Sequence, residues 1–492
     1  MGRFCSLPKS QELTDEHLQD PYFTFARLHR NHSQHHQFAQ ERLATYLQSA
    51  VMLQQPGPRA AAEREIMSGA PSVLTLDRMR RGAVILLSHP TGNRNVREAL
   101  AALDQAGLLV EFSTTVSWRG GFLDRILPAK ARIAAARRRY VDTFRTRTRT
   151  HPLREVVRLL AGPRLRGRLV AHETGPFSVD AVIRAHDAWA ARRVSCRSDL
   201  TAVYAYEDCA RDTFLAARAK GLARIYEHPV GYWREVERTF QEEYDLKPEY
   251  RAVLSGHTDS QAKRDRKDEE IGLADLIVVP SRYSSTTLNQ FPGTLPATVV
   301  IPYGAPGECA EAPTPAGRML RVVFVGSLQQ RKGISYFVDA INSLKGLVET
   351  TVIGRRVGEC EPLDRFISQV TWIPSAPHSE VLQHLRGNDV LVLPSLSEGF
   401  GLVVLEAMSQ GLTVIVTDHT GAADVVTDGY NGYVVPVRSS ESIASRLELL
   451  ARDPDLLAAM KSAALTTACH YTWKEYRRAL VGAVTPLGAR SG

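Results

Sequence analysis

Two carboxylates frame the stretch Pro394–Gly411, which reads PSLSEGFGLVVLEAMSQG: Glu398 and Glu406 stand eight residues apart around Gly399-Phe400-Gly401. Carboxylates are good acceptors for paired hydroxyls. The run DVLVLPS just ahead reads as a buried strand, and Leu402, Val403, Val404 and Ala407 give the next segment a helical apolar face. SEGFG is then the turn at the carboxyl end of a strand. Gly399 and Gly401 are expected to let a ligand approach the backbone. The first helical amides, near Gly401 to Val403, and the helix dipole suit a phosphate. Glu398 stays on the turn while Glu406 lies about one turn into the helix, so the two acids can meet different parts of one elongated molecule.

A second set lies upstream in VVFVGSLQQRKGISYFVDAI. Gly326 and Ser327 open a turn after a strand, and Arg331-Lys332-Gly333 precede a helix. Two cations at a strand's carboxyl end can neutralise a diphosphate, Arg with its bidentate fork and Lys as a point charge. Alone the signal is weak, because basic residues before a helix are common. Together one sheet offers cations, a helix N-terminus and two acids, a set that suits a nucleotide-diphosphate sugar. Asp453-Pro454-Asp455 is the one Asp-x-Asp match, and its place ahead of LLAAMKSAAL is that of a helix cap. His29, His32, His35 and His36 share neighbouring helix turns without a cysteine or carboxylate cluster to complete a site. Neither a metal nor another cofactor is expected.

The elements that must position these residues are two α/β series. The first opens at GAVILLSHP (82–90), followed by the loop TGNRN and the amphipathic run VREALAALDQAGLL, and continues through LVEFSTTV, LTAVYAY, ARIYEHP and ADLIVVPS. The second runs RVVFVGS, ETTVIG, VTWIP, DVLVLPS, LTVIVTD, GYVVPV. Near-continuous apolar strands alternating with helices predict parallel sheets covered on both faces. The expected organisation is a helical N-terminal appendage (1–80), a doubly wound Rossmann-like domain (81–296), a Pro/Gly-rich linker (297–317), a second such domain (318–470) and a C-terminal helix (471–492) crossing back to the first domain. Ligands of such sheets bind at the strands' carboxyl ends, which places a site in a cleft between the two domains.

A chain of 492 residues with 44% apolar content accommodates two such cores. No run reaches the roughly 20 apolar residues of a membrane-spanning helix, the N-terminus lacks a signal-peptide core, and six scattered cysteines form no CxxC pair. A cytoplasmic location is expected. The net charge of +8 is uneven: residues 118–168 hold fourteen Arg and one Lys against Asp124, Asp142 and Glu155, a local +12. Such a stripe suits an anionic membrane at the inner face or an anionic acceptor, or is simply a solvated arginine-rich helix face. No aromatic-studded basic strand accompanies it, so nucleic acid is not an expected partner.

SEGFGLVVLEAMSQG, VGSLQQRKG and GAADVVTDGYNGYVVP, with ADLIVVPS, VIPYG and YTWKEYRRALV, together resemble the C-terminal domain of the retaining glycosyltransferases of family 4, the glycosyl transferases group 1, over about residues 270 to 480. The resemblance implies the GT-B fold and a hexosyl transfer from a nucleotide sugar to a hydroxyl acceptor without a metal. It gives Glu398 the donor sugar's hydroxyls, Glu406 the ribose, the amides of Phe400, Gly401 and Leu402 the sugar and diphosphate, and Lys332 the leaving diphosphate. The base would lie by the VTWIPSAP loop, with Ile373 as a backbone contact. Gly92 occupies the place of a glycine loop near the reacting groups, and His228 that of the family's active-site histidine. Where the family commonly has Arg after the glycine of GxL, this chain has Ser327, and Arg331 is the candidate replacement. An epimerase or hydrolase of the same fold, and a non-catalytic scaffold, remain open alternatives.

Overall fold

The computed structural model describes residues 83–488, except 119, 122–134, 136–137, 141–143, 161–166, 255–258, 308–318 and 345. The N-terminal appendage and its four histidines lie outside the described residues. All described residues belong to one unit, Thr75–Gly492.

The first lobe runs β1 (Ile85–Ser88), α1 (Arg94–Gln105), β2 (Leu109–Thr114), β3 (Thr148–Thr150), α2 (Leu153–Leu160), α3 (Val179–Ser195), β4 (Ala202–Tyr206) and α4 (Arg211–Arg218). It continues with β5 (Ala223–Glu227), α5 (Trp233–Leu246), α6 (Gln261–Leu273), β6 (Leu276–Val279), α7 (Arg282–Thr287) and β7 (Ala297–Val300). The second lobe begins β8 (Leu320–Val325), α8 (Ile334–Ser343), β9 (Val348–Ile353), α9 (Glu361–Ile367), β10 (Thr371–Ile373), α10 (His378–Arg386) and β11 (Val390–Leu393). It ends α11 (Leu402–Ser409), β12 (Thr413–Thr417), β13 (Gly432–Val435), α12 (Ser440–Arg452), α13 (Pro454–His470) and α14 (Trp473–Gly488).

Each lobe holds one parallel sheet, ordered β3-β2-β1-β4-β5-β6-β7 and β10-β9-β8-β11-β12-β13. The central strands are apolar along their whole length because helices cover both faces: every residue of β1, β4, β11 and β12 is buried. In both sheets the chain order reverses beside the first strand, between β1 and β4 and between β8 and β11. Loops there diverge to opposite faces and leave a crevice.

Two strands escaped the sequence reading. β3 is three residues long, polar and largely exposed at the sheet edge, so it carries no apolar signal. Residues 297–300 were expected to open the linker; they form β7 instead, in register with β6 from Leu276↔Ala297 to Val279↔Val300. The prolines on either side hide a half-buried edge strand.

The lobes share a hydrophobic core that runs from β1 through Tyr303 to α14. α14 packs on α1, with Arg477 Nη1 donating to Glu98 Oε2 at 2.8 Å. Glu243, fully buried on α5, accepts from Gln330 Nε2 (2.5 Å), Tyr336 Oη (3.0 Å) and Arg438 Nε (2.9 Å) of the second lobe. Asp453 caps α13, accepting from Leu456 N at 2.9 Å with Pro454 at the first helical position. No helix among the described residues is long and apolar enough to cross a membrane.

Candidate active site

β8 and β11 are hydrogen-bonded neighbours, so the loops at their carboxyl ends meet although some 65 residues separate them. Leu396 N donates to Arg331 O at 3.0 Å and ties the two loops together. Glu398 is held at both backbone groups, its N–H by His419 O (3.0 Å) and its carbonyl by Gly421 N (2.8 Å). One carboxylate oxygen of Glu398 then receives Lys332 Nζ directly and Arg331 Nη1 at 3.3 Å. Burial alone would raise the Glu398 pKa, but the charges of Lys332 and Arg331 outweigh it and hold the acid below its usual range. For Lys332 the balance is opposite: burial lowers its pKa, the Arg331 charge adds to this, and Glu398 only partly compensates. Two cations against one acid leave a positive surplus at this spot, the polarity an incoming phosphate requires.

Gly401 caps α11 in the left-handed conformation, φ +85°, which a side chain would strain. The first intrahelical bond is Val404 N to Gly401 O at 2.9 Å, so the amides of Leu402 and Val403 precede the helical ladder. One turn on, Glu406 Oε1 lies 2.9 Å from His378 Nε2 of α10. That hydrogen bond raises the His378 pKa against the opposing effect of burial. A cavity of about 590 Å³ opens here. Gly326, Lys332, Glu398, Gly401 and Glu406 line it from the second lobe, and Pro229 and Tyr303 from the first. Phe400 and Leu402 also face it, Phe400 packing edge-on against Tyr303 at 5.3 Å.

Other expected residues stand differently. Gly399 was expected to admit a ligand, but its close neighbour is the other lobe: a Cβ there would meet Pro229 O at 2.0 Å, and its carbonyl accepts from Ser281 Oγ (2.6 Å) and Ser284 Oγ (3.1 Å). Gly92 lies beneath Tyr140, whose ring a Cβ would meet at 2.5 Å, and is not part of the cavity lining. Ser327 and Ile373 also lie off that lining; Ile373 ends β10 and its carbonyl accepts from Gly354 N at 2.9 Å. Arg331 reaches the site through Glu398 and Ser397 O rather than through the cavity wall. His228 is 1% exposed and off the lining too, although the next residue, Pro229, is on it.

His378, Tyr303 and Pro229 were not singled out from the sequence. The one available signal was SAPHSE, a histidine on the first turn of a helix following the expected base loop. Among the described residues, His172, Glu173 and Asp259 could converge on a cation, their ligand atoms lying within 4.8 Å of one another. The Lys263 ammonium already sits 2.8 Å from Asp259 there, competing for the same charge.

Comparison with known proteins matches these features. Residues 313–467 fit the family described as glycosyl transferases group 1. The D-inositol 3-phosphate glycosyltransferase of Paenarthrobacter aurescens is 31% identical over 185 residues, 34% of this chain and 45% of that protein. The enzyme of the same name from Streptomyces bingchenggensis is 27% identical over 253 residues, 45% and 55% of the two chains. The chain thus spans about half the length of the curated relatives it matches. Sucrose-phosphate synthase from Thermosynechococcus elongatus superposes with a TM-score of 0.59 at 16% identity, covering 83% of this chain and 99% of that one. Anabaena HepE in complex with UDP-glucose superposes with a TM-score of 0.52 at 16% identity, over 82% and 99%. These likenesses show the fold, two Rossmann-like domains in the GT-B arrangement. The segment that fits the glycosyl transferases group 1 family, residues 313–467, carries Glu398, Glu406 and Lys332 of the cavity wall and Arg331 behind Glu398.

Proposed function

We propose that the chain is a retaining glycosyltransferase that moves a hexose-type sugar from a nucleotide-diphosphate sugar to a hydroxyl acceptor. The observation that carries this is one cavity lined by Lys332, Glu398, the start of α11 and Glu406 together. The cationic surplus and helix amides suit the diphosphate, Glu398 the sugar hydroxyls and Glu406 the ribose. The relatives named as glycosyltransferases support sugar transfer, and the UDP and UDP-glucose bound to HepE support this donor class.

In this reading the acceptor oxygen bonds to the anomeric carbon on the face the diphosphate leaves, so the anomeric configuration is retained. The acceptor's proton passes to the departing phosphate oxygen. Lys332, Arg331 and the α11 amides absorb the charge that develops there, without a metal. Closure of the lobes on the donor would exclude water. The test is melting temperature with a panel of nucleotide sugars, then nucleoside diphosphate release with and without acceptors, in EDTA. Stabilisation by a donor and acceptor-dependent release are expected. Release without any acceptor points instead to a hydrolase or epimerase, donor binding without turnover to a scaffold, and an inverted product overturns retention. Lys332→Ala should slow turnover on the order of ten- to a hundredfold, from a charge-assisted contact of about 1.5–3 kcal/mol.

We further propose that residues 118–168 meet an anionic membrane. In support, α2 exposes Leu153 (69%) and Leu160 (74%), seven residues apart and so on one face, beside Arg154 and Arg158. Flotation with anionic vesicles, reduced by the pair Leu153→Glu and Leu160→Glu, is expected; equal association with neutral and anionic vesicles overturns it.

A further inference from the structure

The loop that follows β4 is fixed far more firmly than a connection needs to be. Glu270 of α6, fully buried, accepts in turn from the backbone N–H groups of Asp208 (2.8 Å), Ala210 (3.0 Å) and Arg211 (3.2 Å). Asp187 of α3, also buried, accepts from Asp212 N (2.8 Å) and Thr213 N (3.0 Å) at the start of α4. Asp208 itself stands at φ +69°, a conformation a non-glycine residue keeps only where its surroundings impose it. Lys267, one turn before Glu270 on α6, sets its ammonium 3.3 Å from Glu207 Oε1, 3.9 Å from Asp208 Oδ1 and 3.1 Å from Asp259 Oδ2.

This framework aims one carboxylate at one imidazole. Glu207 Oε2 lies 3.9 Å from His228 Nδ1. His228 follows β5, the strand next to β4, its backbone pinned by His228 N to Val278 O (2.9 Å) and its ring stacked on Tyr226 at 5.9 Å. Among the described residues neither of its ring nitrogens finds a hydrogen-bond partner, although the residue is 1% exposed. Buried polar atoms are nearly always paired, so a buried imidazole with two unpaired nitrogens marks a partner that comes from outside the chain or a contact that tightens on binding. The next residues, Pro229 and Val230, press on Gly399 beside Glu398, which couples the His228 segment to the opposite lobe.

We propose that Glu207 is a positioning residue for His228: its carboxylate draws the ring proton to Nδ1 and leaves the Nε2 lone pair free to receive a substrate hydroxyl. A separation of 3.9 Å exceeds a direct hydrogen bond, so Glu207 acts on the ring through its charge. Burial lowers the His228 pKa, the Lys267 charge adds to this and Glu207 opposes it, so the ring is neutral and its tautomer carries the information. Burial raises the Glu207 pKa, but the charge and hydrogen bond of Lys267 together with the charges of His228 and Lys263 bring it below its ordinary value.

The substrate half of the proposal rests on the transferase reading above; the tautomer half does not. Nitrogen-15 NMR of the histidine-labelled full chain, assigned by the signal lost in His228→Gln, should show His228 protonated at Nδ1. Glu207→Gln should move the population toward the Nε2-protonated form. An Nε2-protonated ring in the native chain overturns the proposal without recourse to any Glu207 variant. In the kinetic arm, Glu207→Gln should lower kcat on the order of tenfold with the donor KM unchanged, and should have no further effect in a His228→Ala background. An equal loss in both backgrounds means that Glu207 does not act through His228 and overturns the proposal. If the native chain turns over no donor, the transferase reading falls while the NMR arm still decides the role of Glu207.

Discussion

The Glu406 carboxylate is engaged by His378 of α10 at 2.9 Å, and a ribose would share or replace that contact. Because a hydrogen bond to a charged group contributes about 1.5–3 kcal/mol, Glu406→Ala should weaken donor affinity by roughly ten- to a hundredfold in titration calorimetry. Unchanged affinity would contradict the ribose contact. The same pair has a pH signature. The folded-state pKa of His378 is raised above its ordinary 6.5, chiefly by the bond to Glu406. The stability it contributes is therefore complete below 6.5 and is lost as pH rises through the higher folded value. His378 is 59% exposed, so screening keeps the effect small. Melting temperature should decline slightly as pH rises from about 6.5, and His378→Gln should lack that component; superimposable profiles would exclude it.

At the scale of the element, the turn between β11 and α11 serves two masters. Its Gly401 satisfies a left-handed helix start, whereas its Gly399 admits the backbone of the other lobe. A methyl at Gly399 would meet Pro229 O at 2.0 Å and Val230 Cα at 2.7 Å, and neither is the flexible end of a side chain. Gly399→Ala should therefore destabilise by about 1–3 kcal/mol, as overpacking does, and should impair donor turnover by displacing Glu398. Urea unfolding at the native midpoint would refute the close approach.

For the whole molecule, the two lobes are joined by α14 as well as by the chain between β7 and β8. Trp473 is 7% exposed, stacks on Tyr303 at 5.8 Å and lies under the Arg94 guanidinium at 5.4 Å. Tyr303 in turn lines the cavity and donates to the buried Glu227 at 2.9 Å. Trp473→Ala should cost about 3–5 kcal/mol in denaturant unfolding, the range for deleting a buried aromatic, and should loosen the cavity wall at Tyr303. A loss below about 1 kcal/mol would show that α14 does not stabilise the joined lobes.

Much of this was readable from residues near one another in the chain. The buried strands announce themselves as apolar runs, since a sheet covered on both faces leaves no polar alternation. SEGFG declared a strand-to-helix turn with two acids, because glycine conformations and helix starts are local matters. The pairing of Lys332 with Glu398, of Glu406 with His378, and of Gly399 with Pro229 depends on which strands lie side by side and how the lobes face, and adjacent residue types do not encode that order. The same holds for β7, masked by its flanking prolines, and for Glu207 and His228, which meet only because β4 and β5 are neighbours. The sequence thus determined the chemical groups and the local turns that present them. Only the tertiary structure decided which groups share a site, because a charge acts on its surroundings through distance in space, and the sheet order sets that distance.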